Sequence, residues 1–151
     1  MTFSEIVLAA QAVSSAAMCG LIWFVQAVHY PLFARIEGES STRFADEHQA
    51  RTGRVVIPFM LVEGLTAMII AWSPPAGVPR VLAVAGVAIV VAIWVSTACV
   101  QMPLHARLSR DGHSPAAVNA LVRSNWLRTV LWSVRAVLAA WMLVAATRHA
   151  A

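Results

Sequence analysis

The stretch Q-A-V-H-Y-P-L-F-A-R, from Gln26 to Arg35, sits where a long apolar run meets the first charged loop. It sets an amide (Gln26), an imidazole (His29), a phenol (Tyr30) and a helix-ending proline (Pro31) within about two helical turns. A related stretch, Q-M-P-L-H-A-R, recurs from Gln101 to Arg107 at the end of another apolar run. The chain therefore reads as two units, each an apolar helix, a polar turn and a returning helix.

Composition says which solvent surrounds them. The chain has 151 residues, of which 60% are hydrophobic and 12% charged, and its mean hydropathy is +0.72. Soluble domains carry roughly 25% charged residues, so a lipid bilayer is the expected surrounding. The net charge of +4 rests on eleven arginines and no lysine. These arginines flank apolar segments, a membrane pattern rather than a nucleic-acid one. Cys19 and Cys99 both fall inside apolar segments with no C-x-x-C spacing, so they read as small hydrophobes rather than zinc ligands or a redox pair. No basic segment precedes Ile6, and the first apolar run outlasts a signal h-region. It reads as a retained span.

A bilayer core about 30 Å thick needs roughly 20 apolar residues of helix. Four runs qualify, at about 6–29, 55–72, 80–101 and 126–146. Pro31 disfavours helix at Tyr30 and predicts an end near His29. The loop from Arg35 to Arg54 holds Glu37, Glu39, Arg43, Asp46, Glu47, His48 and Arg51, with a short amphipathic helix expected at about 41–52. Pro58, Glu63 and Gly64 interrupt the second run, and Ser73 to Pro79 forms a tight connection. After Pro103, His105, Arg107, Arg110 and His113, Ser114-Pro115 reads as N-cap and first helical position of a second short helix, about 115–123. The expected fold is all-α, a four-span membrane bundle in one domain. Seven arginines (35, 43, 51, 54, 107, 110, 123) lie on one side and two (80, 148) on the other. The positive-inside rule then puts both long loops in the cytoplasm and both termini outside an inner (plasma) membrane.

The two polar turns align at an offset of 72 residues. Pro31-Leu32-x-Ala34-Arg35 meets Pro103-Leu104-x-Ala106-Arg107, Arg51 meets Arg123, and Glu63 meets Arg135. Tandem helical hairpins of this kind relate by a pseudo-two-fold axis along the membrane normal. Glu63 and Arg135 would both sit about 12–14 Å along their helices. A buried carboxylate and guanidinium at equal depth are expected to pair, since either alone is costly in lipid.

Nearly all polar residues of the spans gather toward the cytoplasmic ends: Gln26, His29, Glu63, Gln101, His105, Asn125, Arg128 and Arg135. Ionisable groups at such depth mark functional sites by default. The plainer alternative is that they are helix-end groups reaching the headgroups or bonded across helices. His29, His48, Glu63 and Arg135 are the catalytic candidates, with Gln26, Tyr30, Gln101, Asn125, Trp126 and Arg128 as substrate contacts. His29, His48 and His105 keep a metal ion or a haem open as cofactor, although no H-x-x-x-H, E-x-x-H or C-x-x-C-H spacing occurs. Trp23, Trp94 and Trp132 read as core packing, and His113 and His149 as loop and tail residues. With no phosphate loop, nucleophile elbow or G-x-G-x-x-G, nucleotide chemistry and serine hydrolysis are not expected.

Pro103-Leu104-His105, then Leu108, Leu121, Trp126 and Arg135, together with His29-Tyr30-Pro31, resemble the anthrone-oxygenase-like family of small four-helix membrane proteins. The resemblance implies a lipophilic substrate entering a four-helix bundle near one membrane face, with oxygen chemistry on a polyketide. His29, His48 and His105 depart from the family's pattern, which puts a cofactor-free mechanism in doubt. Two functions follow from the residues. The first is an oxidoreductase or oxygenase for a lipophilic phenol, quinone or polyketide. The second is a non-enzymatic binding or accessory protein, or a small oligomeric transporter, in which a homodimer would supply the missing volume.

Overall fold

The computed structural model describes residues 2–33, 35–36, 40–112 and 114–150, the side chain of residue 150 excepted. Ala34, Glu37, Glu39 and His113, named above, lie outside the described residues. The described residues form four long helices and no strand: α1 (Phe3–Phe33), α2 (Ser40–Trp72), α3 (Arg80–Asp111) and α4 (Pro115–Ala150). All four are long and apolar enough to cross a membrane. Exposed apolar side chains run along each, from Val13 and Leu65 to Val91 and Val137, a surface compatible with membrane-spanning helices.

The sequence places the helix ends at the prolines, and the structure does not. Near Pro31 the helix widens into a π turn, Val25–His29, whose last bond runs from Tyr30 N–H back five residues to the Val25 carbonyl. It then continues to Phe33. A proline lacks the N–H and crowds the carbonyl four residues back. Opening one turn to the i→i+5 pattern accommodates the ring without ending the helix. The second proline has the same solution, a π turn at Thr97–Gln101 closed by Met102 N–H to the Thr97 carbonyl. These two turns fall at the offset of 72 residues found in the sequence. That coincidence of backbone irregularity supports two tandem helical hairpins.

The two short amphipathic helices expected at about 41–52 and 115–123 are not separate. Each is the opening of a long helix, and α2 runs unbroken through Pro58. Ser114 does cap α4, its hydroxyl accepting from Ala117 N–H at 3.4 Å. A helix of 33 residues is about 50 Å long, so each helix overshoots a bilayer core of about 30 Å. The overshoot lies at the polar end, where the α1–α2 and α3–α4 connections are.

Three clusters fill the interior from end to end. Tyr30, Phe33, Leu108, Val118 and Leu121 pack at the polar end; Met18, Ile22, Ile93 and Trp132 pack at mid-bundle; Leu8, Ile70, Ala83 and Met142 pack at the far end. Two glycines allow close approaches, Gly64 between α2 and α3 and Gly77 between the α2–α3 connection and α4. A Cβ at Gly64 would meet the Trp94 ring at 2.8 Å, and at Gly77, whose φ is +80°, it would meet the Ala145 carbonyl at 2.8 Å. Cys19 is half-buried against the Ser133 hydroxyl, whereas Cys99 is exposed.

Candidate functional site

The π turn of α1 ends on His29, and the next residue is Tyr30. Together they face the first turns of α2 and the extension of α3. His29 Nε2 lies 2.7 Å from His48 Nδ1, and the two rings stack with centroids 4.4 Å apart. The Tyr30 hydroxyl lies 3.0 Å from His105 Nε2. His48 and His105 rings are 5.3 Å apart, and Phe33 closes edge-on against His48 at 5.1 Å. Thr52, one turn after His48, also approaches His48 Nδ1, at 3.1 Å. Three imidazoles and a phenol thus form one contiguous cluster drawn from three helices.

Beside the cluster is a cavity of about 390 Å³ between α1, α2, α3 and α4. Its walls are apolar (Met18, Ile22, Val56, Met60), and its polar groups are Tyr30, His48, Gln101, His105 and Arg128, with Gln49, Thr52 and Thr97. Ile57 and Met102 also line it and are exposed, which sets its mouth on the bundle flank between α2 and α3. Arg128 is held with its guanidinium over the Trp132 ring, 5.1 Å from the centroid, and beside the Tyr30 hydroxyl. Three buried polar atoms without a partner belong to residues of this lining: Gln101 Oε1, His105 Nδ1 and Arg128 Nε. Buried polar atoms are normally satisfied, and these three are covered by protein rather than open to the cavity, although their residues line it. Two shallower hollows of about 250 Å³ lie alongside; both are lined by His29, His48, Arg51 and Thr52, and neither by Tyr30 or His105.

The three histidines that keep a metal ion or haem open are brought together, yet not as an ion would need them. Two nitrogens sharing a tetrahedral ion at about 2.0–2.1 Å stand about 3.3 Å apart, and His29 Nε2 and His48 Nδ1 are at hydrogen-bond distance instead. Among the described residues no three His, Cys, Asp or Glu side chains are grouped to hold an ion. The arrangement as it stands is a hydrogen-bonded chain.

Glu63 and Arg135 form a separate layer deeper in the bundle. Both are 1% exposed, with Arg135 Nε 3.7 Å from Glu63 Oε1. The same carboxylate accepts from the Ser15 hydroxyl at 2.7 Å and from Trp132 Nε1–H at 3.0 Å. Gln11 extends the layer, accepting from Thr66 at 2.7 Å and donating to Ser15 at 3.3 Å. Gly86 makes the room: a Cβ there would sit 3.0 Å from Arg135 Nη1. Neither ion lines the cavity.

The remaining candidates divide. Gln101 reaches the cavity while donating to Ser124 Oγ at 2.9 Å. Gln26 and Asn125 are occupied with each other, Asn125 Nδ2 donating to Gln26 Oε1 at 2.8 Å, and they brace α1 to α4. Trp126 is exposed and meets Trp23 edge-on at 5.7 Å, away from the cavity. Sequence reasoning missed Thr52, whose spacing from His48, one helical turn, was the available signal. It also missed Trp132 as a donor to Glu63, since a tryptophan in an apolar run carries no mark of its N–H partner. No protein family, characterised protein or solved structure compared with this chain matches it.

Proposed function

We propose that the chain is a multi-pass protein of the inner (plasma) membrane that binds a lipophilic phenol, quinone or polyketide in the 390 Å³ cavity and exchanges a proton with it. Arg35, Arg43, Arg51, Arg54, Arg107, Arg110 and Arg123, on or beside the helix ends at this side, favour a cavity at the cytoplasmic face with both termini outside. The observation that carries the reading is an apolar cavity that opens beside the exposed Ile57 and Met102 and has Tyr30, His48, Gln101, His105 and Arg128 together in its lining. A ligand arriving through the bilayer buries its apolar body against Met18, Val56 and Met60. It offers its oxygen to Arg128, with His105 and His48 beside it. Few polar groups placed on an apolar wall are what orient a small molecule in such sites.

The chemistry follows from these donors. Arg128 is a fixed cation beside the oxygen, and His48 is a ring base within the same cavity. Together they favour the anion of an acidic phenol or enol. Positioned bases and preorganised cations are the means by which enzymes stabilise such anions. An electron-rich enolate passes electrons to dioxygen. One oxygen atom then becomes the new ring carbonyl, and the other leaves as water with the two hydrogens of that carbon. This oxygenase activity is what the resemblance to the anthrone-oxygenase-like family implies. The alternative, a binding or accessory protein, draws on the same contacts, since His29–His48 and Tyr30–His105 also tie α1 to α2 and α3.

The test is an equilibrium titration of nanodisc-embedded protein with an alkyl-4-nitrophenol, against protein-free nanodiscs. Saturable binding at one probe per chain, with the bound probe shifted toward phenolate relative to probe in lipid, is the expected result. Partitioning indistinguishable from empty nanodiscs would reject the reading. Oxygen uptake with an anthrone then separates enzyme from binding protein.

A further inference from the structure

The His48 side chain belongs to the ligand cavity and to both outer hollows, whereas His29 belongs to the outer hollows alone. The hydrogen-bonded pair is therefore the partition between the ligand cavity and the polar-end surface. From this placement we infer that His48 and His29 form a two-imidazole proton relay, carrying the ligand's proton out of the cavity to water. The inference rests on the ligand-binding reading above and assigns its proton a route.

The bonds balance in one tautomeric state. With hydrogen on His48 Nδ1, that nitrogen donates to His29 Nε2 across 2.7 Å, and His48 Nε2 is free to accept. The ligand O–H breaks as its proton goes to His48 Nε2. The Nδ1 hydrogen of His48 passes to His29 Nε2, and the His29 Nδ1 hydrogen leaves to water. The ligand remains as the anion beside Arg128. Thr52 Oγ1, 3.1 Å from His48 Nδ1, offers the alternative partner that lets His48 reset its tautomer. Tyr30, His105 and Arg128 face the pair from the cavity side, and Glu47 and Arg51 from the outer side. The cationic Arg128 on the inner side favours outward movement of the positive charge. Phe33 and Phe44 pack on the His29 ring at 5.2 and 6.1 Å and shield this route from bulk water except at its outer end.

The experiment is a laser-induced pH jump on nanodisc-embedded protein saturated with the alkyl-4-nitrophenol, following the phenolate band. His29→Ala is expected to slow the relaxation of bound probe by about 100-fold, the scale on which a positioned acid–base group acts. Added imidazole, which fits the space vacated by the ring, is expected to restore the rate. His29→Gln keeps a hydrogen-bonding partner for His48 without a relay nitrogen, so it is expected to be slow as well. A wild-type rate in either variant would overturn the relay. So would a slow His29→Ala that imidazole leaves unchanged, which would mark His29 as structural. Absence of bound probe on the parent protein would instead remove the ligand-binding reading.

Discussion

Glu63→Leu is expected to destabilise the folded bundle by about 3–5 kcal/mol, the usual cost of removing one partner of a buried ion pair. Arg135 is 1% exposed, and its Nε and Nη1 have no hydrogen-bond partner. Glu63 is thus its one close counter-charge among the described residues. Removing the carboxylate also strands the Ser15 hydroxyl and the Trp132 N–H, both of which donate to it. The double variant Glu63→Leu/Arg135→Met deletes both charges and is expected to recover more than half of that loss, because apolar replacements of buried pairs are often close to neutral. Reversible unfolding in mixed micelles, read by circular dichroism, measures both. A single variant within about 1 kcal/mol of the parent, the range of exposed pairs, would mean that the pair does not hold the helices together.

The second large effect concerns the ligand. Arg128→Leu is expected to weaken binding of the alkyl-4-nitrophenolate by about 10- to 100-fold, corresponding to the roughly 1.5–3 kcal/mol of a hydrogen bond to a charged group. Binding of the methyl ether of the same probe, which cannot ionise, is expected to change little. The contrast separates a cation that recognises an oxyanion from an arginine that merely packs on Trp132. Equal losses for both probes would assign Arg128 to packing and leave the anion chemistry without its cation.

The fold was legible because its decisive signals are local. Four apolar runs of bilayer length, Ser114-Pro115 and the proline-bearing tight connection each follow from residues near one another in sequence. The equal depth of Glu63 and Arg135 also came from sequence, through the 72-residue offset, and the two do meet at 3.7 Å. The π turns were hidden. Pro31 and Pro103 announce a disturbance, but whether a helix stops or widens is decided by its packing partners, and here α2 and α4 continue alongside. Hence the expected stop near His29 became a continuation that sets His29 against His48.

The candidate site was half legible for a similar reason. His29, Tyr30, His48, Gln101 and His105 stood out by residue type, and the bundle gathers them. Arg128 read more readily as a headgroup arginine than as a ligand contact, since position along a helix does not reveal its rotation about the axis. That same ambiguity made Gln26, Asn125 and Trp126 read as ligand contacts, although the first two bond each other and the third faces outward. The cavity itself has no sequence signature, because its walls are the same Met, Val and Ile that fill the core elsewhere.

The most direct measurement is photolabelling of the nanodisc-embedded protein with a diazirine-bearing alkylphenol, mapped by mass spectrometry. Label on cavity residues such as Val56, Met60, Thr97 and Met102, displaced by excess alkyl-4-nitrophenol, is the expected result. Label confined to lipid-facing positions such as Trp72 and Val137, and undisturbed by competitor, would contradict a ligand site at the polar end of the bundle.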